Sequence, residues 1–232
     1  MSTHFQHFSF TFDEVKPTKE EILDFIKSSE LEEEHPAVIF VNQILDEINA
    51  EEISGGFTIK NVEPISVKEG KITVDNIVLE IGVQLCGYIK EATQVALFVC
   101  TAGEYFTAKT NELNNAGDIM EAYILDAIGS LTVEKAMDKI QQQLAETARL
   151  ENLKISNRYS PGYCNWHLSD QVFLFNLIGE NQTGVSINSS CLMTPRKSVS
   201  GLIGIGEKIK TRDYGCEICN NATCIYRKIL HK

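Results

Sequence analysis

The sequence has no run of about 18 apolar residues, so no transmembrane helix is expected. It is also short of cations. Twenty-one Lys and Arg stand against 32 Asp and Glu, a net charge of -11. That balance argues against a nucleic-acid or anionic-membrane partner, because both reward clustered positive charge. The opening residues, MSTHFQHFSFTFDEV, lack a charged n-region and an apolar h-region, so no signal peptide is expected. Internal repeats and low-complexity linkers are missing too. Cysteine is not scarce. There are seven, of which Cys86, Cys100, Cys164 and Cys191 are scattered. An odd, scattered set reads as thiols in a reducing compartment, and a cytoplasmic location is the expectation. A hydrophobic content of 43% over 232 residues allows a sizeable core in one large domain or two small ones.

The periodicity changes along the chain. Residues 5–12 alternate aromatic and polar, as an edge strand or extended arm would. Thr18 with Glu21 fits a capping box, and Ile22, Phe25 and Ile26 give a helical stripe. Residues 36–48 place Val38, Val41, Ile44, Leu45 and Ile48 on one helix face. His35 opens that helix, and Glu32 to Glu34 form a solvated acidic turn. Ile65 and Val67, then Ile72 and Val74, flank KEGK and predict a hairpin with Gly70 in its turn. The apolar run from Val95 to Cys100, closed by Gly103, predicts a buried strand. Residues 117–150 carry the longest helical pattern, with Gly129 marking a break or a close approach. DQVFLFNLIGE predicts a short apolar helix capped from Ser169. Two strands joined by the TPRK turn complete the order. Helices, hairpin, strand, long helix, loop, helix and strands together predict an α+β fold.

Two segments carry concentrated chemistry. NRYSPGYCNWHLSDQ, residues 157–171, reads as neither helix nor plain strand and holds the single tryptophan, Trp166. An arginine beside a Gly-centred turn can grip a carboxylate in a planar fork. Gly162 permits close backbone approach and Tyr163 can stack or donate. The alternative is an exposed turn with Arg158 as a surface cation. In SSCLMTPRKSVSG, Ser198 and Ser200 share one strand face. They line a polar cleft or stand as ordinary serines on an edge strand.

RYSPGY, with an apolar helix after it and then MTPRKSVSG, resembles the activation domain of cobalamin-dependent methionine synthase. FVCTAG resembles that family's strand ending in a Thr-Xaa-Gly turn, and the helix from Asp118 resembles the helix before its Pro-Gly-Tyr turn. The resemblance covers roughly residues 85–206, and residues up to about 84 fit only in pattern. It implies a single C-shaped α+β domain over 1–206, with a twisted, mainly antiparallel sheet and flanking helices. It also implies binding of S-adenosylmethionine. Arg158 would hold the ligand carboxylate, Ser160, Gly162 and Tyr163 would supply backbone and ring contacts, and Glu134 would face the site. The sequence has no Asp-Xaa-His-Xaa-Xaa-Gly corrinoid-binding motif. The expectation is therefore a stand-alone protein that assists reductive remethylation of cob(II)alamin on a separate corrinoid-binding methionine synthase or related methyltransferase, with a low-potential electron donor.

Residues 207–232 form a separate tail in which Cys216, Cys219 and Cys224 are spaced C-x2-C-x4-C. Clustered thiolates suit zinc or an iron–sulfur cluster. Cys191, Cys164, His167 and His231 are candidate fourth ligands, with Cys191 preferred. Two other readings stay open: a non-catalytic partner of a corrinoid protein, or an electron-transfer accessory protein working through this tail.

Overall fold

The computed structural model describes residues 4–211. Its centre is a five-stranded antiparallel sheet of β1 (Gln6–Phe10), β2 (Ile53–Asn61), β5 (Gln94–Thr101), β6 (Lys154–Tyr159) and β9 (Ser198–Gly206). In space these strands lie in the order β1-β2-β5-β9-β6. One face is covered by α1 (Phe12–Val15), α2 (Lys19–Phe25), α3 (Pro36–Glu47), α5 (Tyr105–Ala116) and α6 (Ile119–Leu150). The other is covered by the hairpin of β3 (Ile72–Val74) and β4 (Ile77–Leu79), with α4 (Gly82–Ile89) and α7 (Gln171–Ile178). The mixed fold, with an antiparallel sheet and flanking helices, is the one expected.

Central strand β5 explains its own sequence. Ala96, Phe98 and Cys100 enter the α6-side core, while Val95, Leu97 and Val99 enter the other. A strand buried on both faces has no polar side, so alternation disappears into a continuous apolar run. The capping box at α2 is present: Thr18 Oγ1 accepts from the Glu21 amide at 3.3 Å, and Glu21 accepts from the Thr18 amide at 2.7 Å. His35 caps α3, its Nδ1 accepting from the Ala37 amide at 3.2 Å. Gly129 marks a close approach, since α6 runs unbroken and a Cβ there would lie 2.7 Å from Phe106 Cγ. Sheet and α6 also meet closely at Gly55, where a Cβ would lie 2.6 Å from Ile140 Cδ1.

Two local expectations change. The hairpin centred on Gly70 is only a bridge between Ser66 and Lys71. β3 instead pairs with β4 across Asp75 and Asn76, whose φ values of 47° and 64° suit a two-residue primed turn. Asp and Asn tolerate that left-handed backbone, so the tight turn wins over the longer one. The strands flanking TPRK also part company. The short β7 (Ser186–Ile187) pairs with β8 (Met193–Thr194) in a hairpin of its own, while β9 joins the central sheet.

Candidate ligand-binding site

The expectation that residues 157–171 avoid regular structure fails at both ends. Leu168–Asp170 form a short helical turn, and α7 follows at Gln171 with Asp170, not Ser169, at its N-cap. At the start, Asn157, Arg158 and Tyr159 end strand β6. Ile155 pairs with Ile205, and Arg158 with Ile203, so three steps on β6 match two on β9. This extra residue is a bulge, and it reverses the facing of the residues beyond it. Simple alternation would point Arg158 away from Ile155. The bulge turns it instead to the face of Ile203 and Ile205, toward α6. Ser156 steadies the bulge, its Oγ accepting from the Gly204 amide at 2.9 Å.

α6 answers with polar side chains at four-residue spacing, Asp126, Ser130, Glu134 and Asp138, which therefore share a stripe. Arg158 Nη2 donates to Glu134 Oε2 at 3.0 Å. Its Nη1 lies 2.9 Å from Asp138 Oδ1, but off the N–H direction, and makes no hydrogen bond. Burial pushes the Glu134 carboxyl above its ordinary range; Arg158 opposes that rise and Asp138 adds to it. At the N-terminal end of the stripe, Lys197 Nζ lies 2.7 Å from Asp126 Oδ1 and 2.9 Å from Ser130 Oγ. Beside Glu134, burial drives the Cys100 thiol up to about 12, which leaves it protonated and inert. Sequence reasoning missed Lys197, Asp126, Ser130 and Asp138. The four-residue spacing was visible, but the strand that meets it was not.

After β6 the chain turns at Ser160–Tyr163. The Tyr163 amide donates to the Ser160 carbonyl at 3.3 Å. Pro161 holds the second position and Gly162, with φ 92°, the third, as a type II turn requires. The Gly162 amide donates to the Trp166 carbonyl at 2.8 Å. Both amides are thus engaged inside the loop, and the Tyr163 ring is the part open to solvent. CNWH anchors the turn. Trp166 is buried, and its Nε1 donates to Asp170 Oδ2 at 3.2 Å, an oxygen that also accepts from the Glu80 amide at 3.0 Å. His167 Nδ1 lies 2.7 Å from Ser169 Oγ and caps the short turn of helix Leu168–Asp170.

The other predicted positions lie elsewhere. Ser198 and Ser200 share the face of Leu202, which belongs to the opposite core, so the sheet separates them from Arg158. Ser198 Oγ lies 2.8 Å from Thr101 Oγ1 and 2.7 Å from the Pro195 carbonyl. Ser200 Oγ is buried without a partner. Cys191 sits in the turn between β7 and β8 rather than in a strand, with φ 59°. Cys216, Cys219, Cys224 and His231 lie outside the described residues. Among the described residues no cluster of His, Cys, Asp and Glu is placed to hold a metal ion. An open concavity of about 470 Å³ near Phe10, Lys16 and Leu45 includes neither Arg158 nor Glu134.

The family described as vitamin B12-dependent methionine synthase, activation domain, matches residues 82–221, well over half of the chain. The chain belongs to that family. The match spans α4 to β9, including both the arginine strand and its partner helix. A solved structure described as the MetH reactivation domain bound to AdoHcy shares the fold, with a TM-score of 0.59 at 14% identity. That similarity covers 91% of this chain and 81% of the other, so it extends well into the residues before 82 that the family match leaves out. No curated protein matches by sequence. Among the described residues no helix is long and apolar enough to cross a membrane.

Proposed function

We propose that this chain binds S-adenosylmethionine beside the Arg158–Glu134 couple and assists reductive remethylation of cob(II)alamin on a separate corrinoid-binding methionine synthase or related methyltransferase. The observation that carries the reading is the couple itself: a guanidinium re-aimed by a bulge onto a helix carboxylate, next to a Pro-Gly-Tyr turn. The amino-acid end of the ligand carries a carboxylate and an ammonium group. A planar donor fork and a carboxylate are their natural partners. The exposed Tyr163 ring suits the adenine or the sulfonium. The related reactivation domain holds AdoHcy, the demethylated product of such a transfer, which supports the same ligand class here.

The sulfonium supplies the methyl group, and the partner's cobalt, reduced by one electron from a low-potential donor, accepts it. This chain's residues fix the position of the methyl group and keep water away. Ser160 and Gly162 shape the turn under the ligand. The C-x2-C-x4-C tail is proposed to hold zinc or an iron–sulfur cluster through Cys216, Cys219, Cys224 and Cys191, and the setting to be cytoplasmic. The test is a spectral assay of an inactive cob(II)alamin methyltransferase under reducing anaerobic conditions. Methylation that depends on both this chain and S-adenosylmethionine is expected. Methylation indifferent to the chain would refute the role, and binding of the corrinoid protein without any ligand dependence would favour a purely structural partner.

A further inference from the structure

Arg158 Nη1 is in an unusual position. It is sealed from solvent and donates no hydrogen bond, although a carboxylate oxygen of Asp138 lies 2.9 Å away. The ion pair is there, but the N–H is not aimed along it. A buried charged donor without an in-line acceptor costs free energy, and any acceptor that can line up recovers it. The neighbouring Nη2 has such an acceptor in Glu134. The two carboxylates are also held differently. Glu134 is hydrogen-bonded and keeps 42% of its side chain exposed, whereas Asp138 keeps 66%. Asp138 is therefore the loosely held group over Nη1.

Resting on the function proposed above, we infer that Asp138 is a built-in competitor for the ligand carboxylate, covering Arg158 Nη1 until an in-line carboxylate displaces it. Nη1 is sealed, so an incoming carboxylate reaches it only by displacing a neighbour, and Asp138, 2.9 Å away, is the carboxylate held there without a hydrogen bond. Its departure also takes a negative charge away from Glu134, which is then free to meet the ligand's ammonium group. Asp138 thus sets affinity for ligands that end in an amino acid and leaves the nucleoside end untouched.

The test is calorimetry on the full chain at low ionic strength, with S-adenosylhomocysteine and its decarboxylated analogue as probes. Asp138→Asn should bind S-adenosylhomocysteine about two- to five-fold tighter than wild type, the range that losing an exposed ion pair supports. The gain should vanish at high salt, where surface pairs are screened. The decarboxylated analogue should show no gain. Glu146→Gln, which removes the same charge two turns further along α6 at an exposed site, should show none either. Unchanged or weaker binding by Asp138→Asn overturns the inference, the latter because Asp138 would then be holding the ammonium group. An equal gain for the decarboxylated probe, or in Glu146→Gln, overturns it as well. Wild-type protein that binds neither probe sinks the proposed function and this inference with it. Wild-type binding without a gain sinks this inference alone.

Discussion

On the proposed function, Arg158 is the side chain on which ligand binding turns. Truncation to alanine removes a charge-assisted fork worth about 1.5–3 kcal/mol, so affinity for S-adenosylmethionine should fall by at least about ten-fold in calorimetry. Arg158→Lys keeps the charge but not the planar geometry and should also weaken binding. The same truncation has a titration signature. Arg158 favours the ionised form of Glu134, against burial and Asp138, which both raise its proton affinity. Without Arg158, the Glu134 carboxyl should titrate at still higher pH, visible by carbon NMR of the side-chain carboxyl; a downward move would contradict the pairing. Cysteines give a second check at this scale. Burial pushes Cys86 up to about 11 and Cys100 up to about 12. Both should resist alkylation in the native protein at mildly alkaline pH, while the half-buried Cys164 reacts ahead of them, as peptide mass spectrometry would show.

At the scale of elements, α6 is the scaffold. It packs against α5 at Gly129 and carries the polar stripe that meets Arg158 on β6 and Lys197 just before β9. Ala improves helix propensity over Gly by about 1 kcal/mol. Gly129→Ala should nevertheless lower the melting temperature, because its methyl would meet the buried Phe106 ring and overpacking costs about 1–3 kcal/mol. An unchanged or higher melting temperature would show that α5 yields easily. This helix was legible in the sequence because its apolar positions keep period over 32 residues. β5 was legible as a buried strand, and the Thr18 capping box as a helix start. β2 was not, because two glycines interrupt its pattern where the sheet needs room for Ile140 and β1. The facing of Arg158 was not legible either. A bulge is a property of two paired strands, and one strand's sequence does not announce it. The motif singled out Arg158, and only pairing with β9 shows which way it faces.

At the scale of the whole molecule, the central sheet divides the chemistry. Arg158, Glu134, Asp138 and Lys197 pair on the α6 face. Tyr159, stacked on Tyr88 with ring centroids 6.0 Å apart, and Trp166 hold the other face. Loop 160–166 wraps the end of that division and brings Tyr163 to the surface. Strand alternation put Ser198 and Ser200 on one face, lining a cleft or standing as ordinary serines, but could not say that this face is the one opposite Arg158. The cysteine tail makes a separate prediction. Anaerobically purified full-length protein should carry zinc or iron, and Cys216→Ser with Cys219→Ser should abolish it; metal-free wild-type protein would remove the tail from the mechanism. The most direct measurement is calorimetric titration of the full chain with S-adenosylmethionine, wild type beside Arg158→Ala. Micromolar or tighter binding that is lost in the variant, with the fold unchanged by circular dichroism, is the predicted result. No heat of binding at millimolar ligand, or equal binding by both proteins, would contradict it.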